Sequence, residues 1–305
     1  MRVASSQYQT LINVSIQQNQ ERINYLTQQM SSGLRIQLPS DDPIGNVRIS
    51  RLTREQAMVT QYKDNISTVK TRLLKNENYL SSMVTDMGQA RDLLVWAADG
   101  SNAPSDLKAM TESLRAMRDS VVFTANLKDQ EGRYMFSGTA TDKAPIGVSA
   151  DPTVPAGSRY SYDGNTEEQL VVVGNGINQA ANVDVKQLEV WLNKIDVLID
   201  KLSEPGLDPA APGVRTLVTD ALDGTDAGME LLSGKIAIFG GAQNILSTLD
   251  NNLDNVSLSN NTALLALKST DMGAAAIELT GYQTALEATY KAFGKVGSMS
   301  LFDIL

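Results

Sequence analysis

From Ile12 the apolar side chains Ile12, Ile16, Ile23, Leu26 and Met30 recur in alternating steps of four and three, with Asn19 completing the series. Near the other extremity Met272, Ala275, Leu279, Tyr282, Leu286 and Phe293 repeat the pattern. An α-helix turns once in ~3.6 residues, so this spacing gathers the side chains into one narrow stripe, the seam of a coiled coil. Seams at both ends imply a chain that goes out and comes back, with its termini packed together. One helix pair cannot cover both sides of two seams, so burial is expected to come partly from other copies or a partner. In isolation those ends are expected to be poorly ordered. The assembly residues expected on this basis are Ile12, Ile16, Ile23, Leu26, Met30, Met272, Leu279, Tyr282, Leu286 and Phe293, with Leu301 and Phe302 from the apolar tail.

Between the ends a second register runs from Leu52 through Val59, Tyr62, Ile66, Val69, Leu73, Leu80, Met83, Met87, Ala90 and Leu94, broken only at Glu55 and Asn76. At about 1.5 Å per residue such a helix is ~65 Å long. A following helix carrying Leu107, Met110, Leu114, Met117 and Val121 should fold back on it as an antiparallel hairpin. Aromatic residues are 5% of the chain, so these seams are filled by Leu, Ile, Val, Met and Ala, with Trp96 and Trp191 as expected packing anchors.

From 137 to 185 Gly, Pro, Asn and Asp punctuate short β-prone stretches. Asp163-Gly164, between Arg159–Tyr162 and Gln169–Val173, is a hairpin signal, and Gly174-Asn175-Gly176 is a turn rather than a phosphate loop. Helical spacing returns at Leu188–Leu202, and one last long helix is expected to carry Ile245, Leu249, Leu253 and Val256 on through Met272 to Phe293. The expected fold is therefore mainly α, a long antiparallel helical bundle or coiled coil formed by the N- and C-terminal segments, with a small inserted β domain. Residues 1–40 with 265–305 form a terminal coiled-coil assembly domain, 41–136 with 186–264 a helical rod, and 137–185 the insertion.

No His and no Cys occurs anywhere, which removes imidazole bases, thiol nucleophiles, disulfides and the usual zinc ligands together. The remaining carboxylates are scattered, and no catalytic, cofactor-binding or metal site is expected. Asp41 and Asp42 stand between Pro39 and Pro43 with no third ligand nearby, so they read as turn and helix-cap residues. A net charge of −9 repels phosphate backbones and anionic lipid, so no nucleic acid is expected as a partner, and no segment approaches the ~20 apolar residues of a membrane span, so no membrane insertion is expected. The first eight residues lack the apolar run of a cleaved secretion signal.

Ser31-Ser32-Gly33-Leu34-Arg35-Ile36 followed by Pro39-Ser40-Asp41-Asp42-Pro43 resembles the N-terminal signature of the flagellin superfamily. The Pro-Ser-Asp-Asp-Pro form is similar to its hook-filament junction branch rather than to flagellins proper, where an Ala-Lys-Asp-Asp-Ala-Ala type of sequence is usual. Leu279–Ala288 and Ser300-Leu301-Phe302-Asp303-Ile304-Leu305 resemble that branch's C-terminus, with Ile304 replacing a frequent Tyr. The similarity covers about the first 100 and last 90 residues. It implies a non-enzymatic, extracellular flagellar subunit, exported unfolded by the type III apparatus and held beforehand by a chaperone at its C-terminal helix. It would assemble with its own copies as a ring on hook-associated protein 1, with flagellin polymerising beyond. Ser31, Ser32, Gly33, Asp41, Asp42 and Pro43 are expected to form a turn or hinge, in which Gly33 either only ends the first helix or lets that helix swing relative to the following rod. The alternatives are a flagellin filament subunit, or a secreted adhesin or effector sharing the export route.

Overall fold

The computed structural model describes residues 2–98, 103–204, 206–207 and 211–298. The fold is mainly α. Its elements are α1 (Arg2–Ser32), α2 (Pro43–Ala98), α3 (Pro104–Ala125), β1 (Ile146–Val148), β2 (Tyr160–Tyr162), β3 (Leu170–Gly174), β4 (Ile177–Ala180), α4 (Leu188–Leu202), α5 (Pro212–Lys268) and α6 (Met272–Ser298). Two compact units divide the chain, one of residues 1–60 with 254–305 and one of 61–253.

In the unit 61–253 the apolar register of α2 becomes the core. Ile66, Val69, Leu73, Leu80, Met83, Met87, Ala90 and Leu94 are all fully buried, against Leu107, Met110, Leu114 and Val121 of α3 and the inner faces of α4 and α5. α3 runs antiparallel to α2, with the Ser120 hydroxyl donating to Asp86 at 2.7 Å. α5 also opposes α2 through Glu77–Gln243 and Arg91–Asp226 contacts. Trp191 is buried, its indole N–H donating to the Thr225 hydroxyl at 3.0 Å. Trp96 is not the expected anchor: it sits two residues past Leu94, off the seam, and is half exposed.

The buried polar position on α2 is Asn76, fully enclosed with neither side-chain nitrogen nor oxygen bonded among the described residues. Leaving such a group unsatisfied costs about 1–3 kcal/mol. Asn76→Leu is therefore expected to stabilise this unit by that amount in urea melts. A destabilised variant would show that the amide is satisfied in solution.

The β elements form two separate antiparallel hairpins, β1 with β2 and β3 with β4, whose residues Ile146, Tyr160 and Val173 join the helical core. This corrects the expected hairpin at Asp163-Gly164. β2 pairs backwards with β1, and after it the chain is held instead by Asn165, whose amide N–H donates to the Ser137 carbonyl and whose side chain bonds Thr139. The true β3–β4 turn is Asn175-Gly176, with Gly176 at φ +72°, a value that favours glycine.

Two asparagine side chains dock the first hairpin by imitating a strand neighbour. Asn126 accepts from the Ile146 amide at 3.0 Å and donates to its carbonyl at 2.9 Å. Asn193 of α4 does the same for Tyr160 at 3.1 and 2.8 Å. Beneath them Asp196, only 2% exposed, accepts from Arg118 of α3 at 3.0 Å, from Arg159 at 3.3 Å, and from the Gly157 amide. The Arg118 guanidinium also lies 5.7 Å from the centre of the Tyr160 ring.

Candidate functional site

The unit of residues 1–60 and 254–305 is built around α1 and α6. They run antiparallel, since Leu34 bridges Ser269 at one end and Arg22 meets Glu278 at 3.4 Å further along. Leu26 (2% exposed), Ile12 and Ala275 are buried in the seam. Ile16, Ile23, Met30, Leu279, Tyr282 and Leu286 are partly covered, and Thr289 takes the next step of the α6 stripe. Met272 and Phe293 remain exposed. Leu301 and Phe302, with the rest of the apolar tail, lie outside the described residues. Apolar side chains also stand on the outer faces: Leu11 is 69% and Ile277 76% exposed.

The expected single helix from Ile245 to Phe293 is two helices, α5 ending at Lys268 and α6 starting at Met272. Asp271 makes the new start, its carboxylate accepting from the Gly273 and Ala274 amides at 2.9 and 3.0 Å. Ser269-Thr270-Asp271 is a cap signal, across which the apolar spacing continues without interruption.

α1 stops because Gly33 adopts φ +70° and its amide donates to the Gln29 carbonyl at 2.8 Å, a left-handed C-terminal cap. Ser32 is the last helical residue, following Ser31, and its hydroxyl accepts from the Leu34 amide. The Gly33 carbonyl in turn accepts from the Thr270 amide at 3.0 Å, and the Arg35 amide donates to the Lys268 carbonyl at 2.7 Å. The two interhelix connectors are thus joined by backbone.

Asp41 accepts from the Gln37 and Leu38 amides, and Asp42 caps α2 by accepting from Gly45 at 2.8 Å, with Pro43 as first helical residue. Arg35 reaches Asp42 at 3.1 Å. Gly45 carries no signal in the sequence; a Cβ there would lie 2.5 Å from the Asp42 carboxylate, so a larger residue would push the capping side chain aside.

The Leu38 and Gln37 amides hold Asp41 below the usual carboxylate range, and the Gly45 amide followed by Arg35 does the same for Asp42. A depressed folded-state value stabilises above the unfolded carboxylate value of about 4, and that contribution disappears as pH falls through the folded value. Amide resonances of Leu38 and Gly45 are therefore expected to titrate with midpoints below ~4. A midpoint at or above it would contradict these caps.

Among the described residues no cluster of three or more Asp or Glu side chains is arranged to hold a metal ion, and no helix is long and apolar enough to cross a membrane.

Residues 4–141 match the bacterial flagellin N-terminal helical region. Flagellar hook-associated protein 3 of Escherichia coli (strain K12) is 27% identical over 290 residues, 91% of this chain and 91% of that protein. The chain is thus similar, over most of its length, to a member of the flagellin superfamily. Within this superfamily, a solved structure described as a putative flagellar hook-associated protein from Vibrio parahaemolyticus superposes with TM-score 0.67 at 29% identity, covering 74% of this chain and 99% of that one. Flagellin of Escherichia coli (strain K12) is 26% identical over 144 residues, 46% of this chain and 28% of that protein. The similarity to flagellin is thus the weaker of the two, and the superfamily signature at Ser31–Pro43 coincides with the capped, backbone-joined turn between α1 and α2.

Proposed function

We propose that this protein is a structural, non-enzymatic subunit of the bacterial flagellum that joins the hook to the flagellin filament. The observation that carries this reading is the end-to-end match to hook-associated protein 3, set against the shorter match to flagellin of the same organism. The α1–α6 pair supports it physically, since it leaves Leu11, Ile277 and Phe293 uncovered in one chain. Removing such side chains from water is worth ~25 cal/mol per Å2. That gain is available when subunits stack.

In this reading the partners are hook-associated protein 1 below, flagellin above and copies of the chain in a ring. The chain leaves the cell unfolded by the type III route, with an export chaperone on its C-terminal helix. Electron microscopy of a deletion strain tests the proposal. Bare hooks with flagellin monomer in the medium are expected, and attached filaments would overturn it.

Gly33 takes the role of a hinge at the root of the terminal helix. A Cβ there meets nothing within 4 Å, so Gly33→Ala acts only through the left-handed backbone, at about 1–2 kcal/mol. Filament attachment is expected to weaken while the unit 61–253 melts normally. Unchanged swimming would count against the hinge.

A further inference from the structure

A cleft of about 420 Å3 opens in the unit 61–253 between α2 and the loop that follows α3. α2 contributes Ser67, Thr68, Thr71, Arg72 and Lys75, which one helical face presents together, and the loop contributes Asp129, Glu131 and Arg133. The loop is a tight, self-satisfied structure. The Asp129 carboxylate accepts from the Glu131 and Arg133 amides at 2.9 Å each, Gly132 turns the chain at φ +78°, and Arg133 pairs with Glu131 and, at 3.5 Å, with Asp129. Both acids of the cleft are thereby engaged.

The two cations that α2 gives the cleft, Arg72 and Lys75, are not. Among the described residues neither Arg72 nor Lys75 has a carboxylate within ion-pair distance or any hydrogen-bond acceptor for its charged group. Arg72 is partly buried, and burial, then the neighbouring Arg133, works against its charge, incompletely offset by Asp129 and Glu131. A guanidinium partly withdrawn from water beside a second cation and short of a partner is a site that gains from an incoming anion. The planar fork of Arg72 suits a carboxylate, and Lys75, exposed at the rim, adds charge.

We propose that this cleft receives a carboxylate side chain from a second copy of the chain, as one contact of the ring. The occupant follows from charge. Each copy carries 35 acidic against 26 basic residues, so copies brought side by side repel unless acid on one meets uncommitted base on the next. The chain supplies such acids: the adjacent Glu167 and Glu168 are exposed and have no cationic partner among the described residues. They are also not among the charges acting on Arg72 of their own chain, so cleft and acid are distinct patches, as a head-to-tail ring contact requires.

This inference rests on the junction reading, and a single preparation separates the two. Intact hook-filament complexes are treated with a carbodiimide, which joins an amine directly to a carboxylate in contact with it, and the linked peptides are sequenced by mass spectrometry. Lys75 is expected to link to an Asp or Glu of another copy, in a species of dimer mass that is lost in Lys75→Gln. Links from Lys75 only within its own chain, only to another protein, or to nothing, with the chain present in the complexes, overturn the contact alone. Absence of the chain from the complexes overturns the junction reading and the contact with it. A second readout is Lys75→Glu, whose exposed side chain leaves folding unaffected. Filament attachment should be lost with the melting profile unchanged, and wild-type attachment would overturn the contact.

Discussion

Asp196→Ala is expected to destabilise the unit 61–253 by about 3–5 kcal/mol, the usual result of removing one member of a buried ion pair. Asp196 is enclosed, and both guanidinium partners reach it from other elements, Arg118 from α3 and Arg159 from the segment entering β2. Without it Arg118 keeps the exposed Asp119 at 2.8 Å and its place over the Tyr160 ring, and Arg159 keeps the Val154 carbonyl at 3.3 Å and a long contact to Asp200. The loss should therefore fall toward the lower end of the range. Denaturant melts of the variant provide the measurement. The exposed Arg115–Glu112 pair on α3 is the control, and its removal should cost under ~0.5 kcal/mol. Equal, small losses at both positions would show that the buried node contributes nothing beyond a surface pair.

Leu26→Ala is expected to abolish filament attachment while leaving the unit 61–253 untouched. Leu26 is buried between α1 and α6, and truncating a buried leucine costs about 2–5 kcal/mol. A pair of helices burying so few side chains has little reserve to absorb that loss. The consequence to look for is hooks without filaments, seen by electron microscopy, together with faster proteolysis of α1. Normal swimming by the variant would mean that the seam contributes no more than a surface contact.

The long elements were legible in the amino-acid order because periodicity accumulates over many turns. The stripe from Ile66 to Leu94 is the stripe that is buried, and the first and last seams do meet. Less legible is local chemistry inside a continuous pattern, as at Asp271, where apolar spacing runs across a helix start without interruption. The strand pairing was illegible for another reason. β1 and β2 have three residues each, too short to specify partners by themselves, and their places are set by Asn126 and Asn193, 20 and 33 residues away from the backbones they bind. Arg72 and Lys75 gave no signal either. They look like ordinary solvated helix charges until the loop at 127–135 folds over them and consumes the nearby acids.

A seam that repeats every seven residues has a weakness of its own: slid by one repeat, α1 would find nearly the same stripe on α6 and pack almost as well. The adjacent bonds from Arg35 to Lys268 and from Thr270 to Gly33 remove that freedom, because any slip must break both amide links together. A subunit that joins two tubes would need its helices indexed in this way, so that load falls on the same side chains each time rather than ratcheting one helix along the other.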